Sequence, residues 1–125
     1  MRPTDEALVS AARQAKEKAY APYSHFSVGA AVDGDDGKVY TGCNVENGSY
    51  GLTSCAERNA VFAAVAAGCR KIYSVAVVAD EDYTLPCGAC RQVLAEFSAE
   101  RIILTAKDGR YRVVKATELF PQPFS

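Results

Sequence analysis

Apolar residues near the start of the chain recur every three or four positions, which predicts an amphipathic helix from Thr4 to about Lys18. The hydroxyl of Thr4 can cap this helix, and the two acidic residues after it suit the positive end of the helix dipole. Two short apolar runs follow at 27–32 and 38–42, with Asp and Gly residues between them. Turn residues between two β-type runs predict a β-hairpin.

The segment from Cys55 to Ala67 predicts a helix that is apolar nearly all round, because its polar side chains are confined to the first turn. Gly68 provides a natural left-handed end to this helix. A helix of this kind needs cover on every side, so we expect it to pack against other subunits as well as its own domain. The valine-rich run 72–79 is typical of a central strand buried on both faces.

A second internal helix is predicted from Gly88 to about Ser98, followed by strands at 101–105 and 111–114 and a helical turn at 117–120. The order of elements is therefore α-β-β-α-β-α-β-β. This order implies an α/β protein with a mixed sheet and helices packed on its faces. The length fits one domain, so we expect residues 1–125 to form a single domain.

The charge and the hydropathy of the chain exclude some classes of partner. The formal net charge is −1, whereas binding through phosphates needs a clustered basic surface, so we expect no nucleic-acid partner. No stretch approaches the roughly 20 apolar residues of a membrane span, and the first ten residues lack the pattern of a secretory signal. We therefore expect no membrane association and a cytoplasmic location.

Five cysteines in so short a chain need a chemical explanation. Their number is odd and nothing indicates secretion, so metal binding or catalysis is favoured over disulfides. Cys87 and Cys90 form a C-x-x-C pair at one predicted helix start, and Cys55 stands at another. A catalytic zinc takes three protein ligands and leaves the fourth position to water. We therefore predict one Zn²⁺ per chain, held by these three cysteines.

The residues beside the predicted ligands suit hydrolysis. Glu57 follows Cys55 by two positions, so its carboxylate can stand beside the metal without binding it and can move protons between water and a substrate nitrogen. Three thiolates leave the site negative, and Arg58, one helical turn after Cys55, can withdraw charge from the sulfurs. Gln92 follows Cys90 closely enough that it is predicted to donate a hydrogen bond to the ligand sulfurs. Arg91 could take the same role, and the sequence does not distinguish between the two residues.

Several motifs spread in order over most of the chain carry a resemblance to a known family. The chain is similar to the small, three-cysteine, tetrameric cytidine deaminases at 21–24 (APYS), 26–31 (FSVGAA), 42–47 (GCNVEN), 55–60 (CAERNA) and 86–92 (PCGACRQ). The resemblance implies a three-layer α-β-α sandwich around a mixed, mostly five-stranded sheet. It also implies zinc-dependent hydrolytic deamination of cytidine and 2′-deoxycytidine to uridine and 2′-deoxyuridine plus ammonia, in pyrimidine salvage.

The same resemblance implies how a free nucleoside is bound. Asn44 and Glu46 correspond to residues that bind the ribose hydroxyls, and Phe26 corresponds to a residue that stacks near the pyrimidine. Backbone groups around Ala56 and Cys87 correspond to those that read the edge of the base.

The resemblance further implies a homotetramer whose sites are shared between subunits. Tyr50 and Phe124 resemble aromatic residues that reach into the site of a neighbouring subunit.

Other functions stay open from the sequence alone. The substrate of a deaminase could be another aminopyrimidine nucleoside such as blasticidin S, a nucleotide or a base in RNA, although Glu46 would repel a phosphate. A zinc-stabilised interaction module would need a fourth ligand, for which Cys43 is the candidate. A redox protein would instead use Cys87 and Cys90 as a thiol pair.

Overall fold

The computed structural model describes residues 2–124, and a five-stranded sheet runs through the middle of the molecule. Its strands are β1 (Val28–Gly34), β2 (Val39–Cys43), β3 (Ile72–Ala79), β4 (Arg101–Thr105) and β5 (Tyr111–Lys115). Their spatial order is β2-β1-β3-β4-β5. β3 and β4 run parallel, whereas the other neighbouring strands are antiparallel, so the sheet is mixed, as predicted.

Helices cover both faces of this sheet. They are α1 (Asp5–Lys16), α2 (Ala56–Ala66), α3 (Gly88–Glu96) and the single turn α4 (Ala116–Leu119). α1 packs on one face, and α2 packs on the other, where it also contacts α3. The three-layer α-β-α sandwich is therefore confirmed. A short 3-10 turn, Tyr50–Leu52, precedes α2 and is absent from the sequence prediction.

The alternation of side chains along the central strand divides the core into two layers. In β3, Val75 and Val77 pack beneath α2 and α3, while Ala76 and Val78 pack beneath α1. Successive side chains of a strand point to opposite faces, so one strand supplies both layers. β3 is buried on both faces, in agreement with its valine-rich sequence.

The C-terminal ends of α1 and α3 each lie two residues before the predicted ends. α1 begins after a cap as predicted, since the Thr4 hydroxyl accepts a hydrogen bond from the Ala7 amide at 3.1 Å, but it ends at Lys16 rather than Lys18. α3 ends at Glu96 rather than Ser98, because Ser98 has a φ of 57° in the left-handed region and cannot continue a helix. Within residues 2–124, no helix is long and apolar enough to cross a membrane.

A close approach between α2 and β2 sets the position of the first turn of α2. A Cβ atom on Gly42 of β2 would lie 2.5 Å from the Ala60 nitrogen and 2.6 Å from the Ala56 oxygen. Carbon atoms in ordinary contact stay about 3.5–4.0 Å apart, so only glycine allows this packing. Gly29 of β1 allows the same approach for α1, where a Cβ atom would lie 2.0 Å from the Ala12 oxygen. The first turn of α2 is therefore fixed directly against the sheet.

Candidate active site

Three cysteine sulfurs meet where α2 and α3 begin. Cys55 is the N-cap of α2, Cys87 is the N-cap of α3, and Cys90 lies in the first turn of α3. Their Sγ atoms all lie within 4.8 Å of one another. The Cys55 and Cys87 sulfurs are 3.8 Å apart, and the Cys87 and Cys90 sulfurs are 3.3 Å apart. The structure thus brings together the three residues that the sequence predicts as ligands.

The sulfur cluster fits a tetrahedral zinc ion. Two thiolates bound at about 2.3 Å to one tetrahedral zinc lie about 3.8 Å from each other, which is close to the observed separations. The unpaired N–H groups at two helix starts also favour negative charge at this point. Cys43 is outside the cluster, because its thiol hydrogen-bonds the Lys18 carbonyl at 3.4 Å. Among residues 2–124, the cluster therefore offers three sulfur ligands to a metal.

The pKa values of Cys55 and Cys90 are shifted in opposite directions. A hydrogen bond with Cys90 lowers the pKa of Cys55 to about 5, and a hydrogen bond from the Arg58 guanidinium contributes to this decrease. Hydrogen bonding to Cys55, together with burial, raises the pKa of Cys90 far above its usual range. The Arg58 Nη2 atom donates a hydrogen bond to the Cys55 sulfur at 3.3 Å.

Glu57 lies in the first turn of α2 and is almost completely buried, with 5% of its surface exposed. Burial raises the pKa of its carboxyl to about 7, and the negative charge of Cys55 adds to the effect. A carboxyl with a pKa near neutrality can both accept and release a proton at physiological pH. Glu57 therefore has the protonation behaviour that acid–base chemistry beside a metal requires.

Gln92 does not donate to a sulfur in the structure, contrary to the sequence prediction. Its Nε2 atom donates to the Phe124 carbonyl at 3.1 Å, and its Oε1 atom accepts from the Phe124 amide at 2.9 Å. The alternative, Arg91, is held by the Pro86 carbonyl at 2.8 Å and the Leu119 carbonyl at 2.9 Å. Both side chains bind the backbone around α3, because the C-terminal segment folds back alongside this helix.

Three of the residues predicted to bind the nucleoside, Phe26, Asn44 and Glu46, lie in a second group around the loop before β1, whereas Ala56 and Cys87 lie at the helix starts beside the sulfurs. Asn44 is buried, and its amide bridges the Phe26 carbonyl (2.8 Å) and the Val28 amide (2.9 Å). Glu46 accepts hydrogen bonds from the backbone amides of Tyr23 (3.0 Å) and Ser24 (3.1 Å). The structure thus links the predicted sugar residues to the segment that carries Phe26.

The two aromatic residues predicted to act between subunits are exposed. Tyr50 is 74% exposed and packs edge-to-face against Tyr23, with the ring centroids 5.7 Å apart. Phe124 is 87% exposed, although its backbone is held by Gln92. A cavity of 260 Å³ opens beside Tyr50, and its lining residues are Tyr23, Ser24, Glu46, Tyr50 and Thr53.

Comparison with known proteins identifies the family. A profile described as "Cytidine and deoxycytidylate deaminase zinc-binding region" matches residues 2–106, which is most of the chain. The chain belongs to this family. A cytidine deaminase of Sporosarcina psychrophila is 47% identical over 123 residues, covering 96% of this chain and 90% of the relative.

Solved structures of cytidine deaminases share the whole fold. The enzyme from Burkholderia pseudomallei superposes with a TM-score of 0.89 at 51% identity, covering 98% of this chain and 100% of the other. The enzyme from Mycobacterium tuberculosis superposes with a TM-score of 0.84 at 41% identity, covering 98% and 99% of the two chains. The similarity to cytidine deaminases therefore extends beyond the cysteine motifs to the complete α-β-α sandwich.

No role is predicted from the sequence for Ser24 or Asn59. Asn59 joins α2 to β2, because its Nδ2 atom donates to the Cys43 carbonyl at 2.7 Å and its Oδ1 atom accepts from the Ser54 hydroxyl at 2.6 Å. The Ser24 hydroxyl contacts Glu46 and the Phe26 amide. Both residues stand inside the recognised motifs, but their contacts with Glu46 and Cys43 join distant parts of the chain and cannot be read from local spacing.

Proposed function

We propose that this protein is a zinc-dependent hydrolase that converts cytidine and 2′-deoxycytidine to uridine and 2′-deoxyuridine plus ammonia, in pyrimidine salvage. The observation that carries the proposal is the position of the buried Glu57 carboxyl. Glu57 lies in the first turn of α2, directly after Cys55 and beside the three-sulfur cluster. Family membership and the names of the similar proteins support the reaction type.

The proposed metal is one Zn²⁺ per chain, with Cys55, Cys87 and Cys90 as its ligands. Zinc bound there supplies Lewis acidity that makes water a nucleophile near neutral pH. Arg58 is proposed to limit the negative charge of the ligand set by its hydrogen bond to the Cys55 sulfur. The three thiol ligands support zinc rather than a cation that prefers oxygen ligands.

Glu57 is proposed to carry the protons of the reaction. Its carboxylate oxygen accepts a proton from the attacking water and delivers it to N3 of the pyrimidine, which makes C4 electrophilic. The same oxygen then takes the proton of the hydroxyl newly added at C4 and passes it to the departing amine, which leaves as ammonia while the C4=O bond forms. Water adds at C4, the C4–N bond breaks, and the net reaction consumes one water molecule. The pKa of about 7 suits both directions of transfer.

The substrate is proposed to be a free nucleoside. Asn44 and Glu46 are assigned to the ribose hydroxyls, Phe26 to stacking on the pyrimidine, and the backbone near Ala56 and Cys87 to the edge of the base. Hydrogen bonds from the Ser24 hydroxyl and the loop amides lower the pKa of Glu46, so its carboxylate is ionised and would repel a 5′-phosphate nearby. This charge favours nucleosides over nucleotides as substrates.

The active form is proposed to be a homotetramer with shared sites. The outer side of α2 exposes Phe62 together with Ala63, Ala66 and Ala67 at its end, which leaves an apolar surface without cover in one chain. Tyr50 and Phe124 are proposed to enter neighbouring sites, since both rings project into solvent. Light scattering of the active protein should give about four times the 13.4 kDa chain mass. A monomer in active preparations would contradict this proposal.

We also infer that residues 1–125 act as one catalytic domain in the cytoplasm. The thiols of all five cysteines are free, and ligand thiols keep their function in a reducing compartment.

The test of the proposed mechanism is Glu57→Gln, which keeps the size of the side chain and removes its ability to transfer a proton. We expect the variant to keep its zinc and its fold and to lose more than about 10⁴-fold in kcat on cytidine, because several transfers share this carboxyl. Glu17→Gln, at an exposed glutamate at the end of α1, is the matched control and should retain full activity. A zinc-loaded Glu57→Gln enzyme that loses less than about tenfold would exclude Glu57 as the proton carrier.

A further inference from the structure

The Ser24 side chain lies at the centre of a hydrogen-bond network that joins two parts of the proposed nucleoside site. Its hydroxyl donates to Oε2 of Glu46 and accepts from the Phe26 amide at 3.1 Å. Its own amide donates to Oε1 of the same carboxylate at 3.1 Å. One serine therefore contacts both oxygens of Glu46 and the backbone of Phe26.

The Phe26 backbone is held by hydrogen bonds at both its amide and its carbonyl. Its amide donates to the Ser24 hydroxyl, and its carbonyl accepts from Nδ2 of Asn44 at 2.8 Å. His25, between Ser24 and Phe26, has a φ of 57°, a left-handed conformation that costs free energy for a residue with a Cβ atom. The hydrogen bonds around Ser24 offset this cost, because they fix the chain on both sides of His25.

The loop leaves part of the Glu46 carboxylate available. A carboxylate offers about four acceptor positions, and the Tyr23 amide, the Ser24 amide and the Ser24 hydroxyl use three of them. The cavity of 260 Å³ that is lined by Glu46 and Ser24 lies at this point. A sugar hydroxyl could therefore meet a carboxylate that is already fixed in direction.

We propose that Ser24 is a positioning residue that holds the Glu46 carboxylate and the Phe26 backbone as one unit, so that the sugar and the pyrimidine are recognised together. This inference rests on the proposed function, since it concerns the same substrate. Ser24 itself need not touch the nucleoside: it acts by fixing the directions of two groups that do.

The first experiment compares Ser24→Ala with Ser24→Thr in steady-state kinetics on cytidine. Ser24→Ala should raise KM about tenfold and leave kcat within about threefold, because the loop binds substrate but does not move protons. Ser24→Thr retains the hydroxyl and should return KM to within about threefold of the parent value. Ser10→Ala, at an exposed serine of α1, is the matched control and should behave as the parent. Ser24→Gly, measured in the same way, replaces Ser24→Ala where the alanine variant does not fold.

The second experiment tests whether Ser24 acts through Glu46. In a double-mutant cycle, Ser24→Ala should raise KM less than about threefold in a Glu46→Gln background, because the carboxylate that it positions is already lost. Equal losses in the two backgrounds, or failure of Ser24→Thr to restore KM, would overturn the inference. A merely structural role would lower the melting temperature of Ser24→Ala without this dependence on Glu46.

The outcomes separate the inference from the proposed function. A parent protein that deaminates cytidine and a Ser24→Ala variant with an unchanged KM would refute the positioning role alone. A zinc-loaded parent protein that does not deaminate cytidine would refute the proposed function and the positioning role with it.

Discussion

Replacing Gly42 by alanine tests how the start of α2 is held in place. Gly42 lies in β2 directly beneath α2, and a Cβ atom there would lie 2.5 Å from the Ala60 nitrogen and 2.6 Å from the Ala56 oxygen. Both neighbours are backbone atoms of a helix, so they cannot rotate away as a side chain could. α2 must therefore move outward by roughly 1 Å to reach ordinary contact distances of about 3.5 Å.

The displacement should cost both stability and activity. Forcing one extra methyl group into a well-packed contact typically costs about 1–3 kcal/mol. For a domain of this size each kcal/mol lowers the melting temperature by about 3–5 °C, so we expect Gly42→Ala to melt roughly 3–15 °C lower. Cys55 and Glu57 stand at the same end of α2. A shift of about 1 Å in a catalytic group can cost about 100-fold in kcat/KM, and we expect a loss of this order.

The assay is thermal unfolding at one fixed protein concentration, followed by kcat/KM on cytidine well below the melting temperature. Gly51→Ala is the matched control, because nothing lies within 4 Å of a Cβ atom at that position. A Gly42→Ala protein that melts within about 2 °C of the parent and keeps half of its activity would refute this account. In that case α2 would not be fixed by its contact with β2.

The remaining predictions concern ionic, thiol and metal chemistry. Asp5 forms a two-fold hydrogen-bonded ion pair with Arg101 at 2.8 Å, which lowers the pKa of the Asp5 carboxyl. This pair therefore contributes fully above pH 4, and its contribution is lost as the pH falls through the lowered pKa of the folded state. Asp5→Asn should cost about 1 kcal/mol in urea unfolding at pH 7 and less at pH 3, and an equal cost at both values would contradict the assignment. Cys69 is buried, and burial raises the pKa of its thiol, so iodoacetamide should modify it only after denaturation, as judged by mass spectrometry. Cys87→Ala should lose zinc in elemental analysis while Cys43→Ala keeps it, and loss in both would favour a closed structural site.

Several elements could be predicted because their signals are local. The run 72–79 forms a strand with those bounds, since its valine-rich sequence ends at polar residues on both sides. Cys55, Cys87 and Cys90 could be grouped because each stands at a predicted helix start. Spacing along a helix also placed Arg58 next to the Cys55 sulfur.

Other features depend on contacts between distant parts of the chain. Gln92 binds the backbone of Phe124, 32 residues later, and no local pattern shows that the C-terminal segment returns to α3. The Ser24–Glu46 contact likewise joins residues 22 positions apart. The end of α3 is set by the left-handed backbone of Ser98, which the sequence does not mark with a glycine. Tertiary hydrogen bonds and backbone conformation thus account for the differences.

The division of the cysteine cluster between two helices has a consequence for thermodynamic linkage between metal and fold. Cys87 and Cys90 are neighbours in any conformation, but Cys55 lies 32 residues before Cys87. Closing a loop of that length in an unfolded chain costs about 3–4 kcal/mol of conformational entropy. An unfolded chain can therefore bring two thiolates to zinc with little loss of conformational entropy, whereas the folded chain already holds three together. Zinc that binds the folded state more tightly raises the free energy of unfolding, so the melting temperature should increase with the concentration of free zinc.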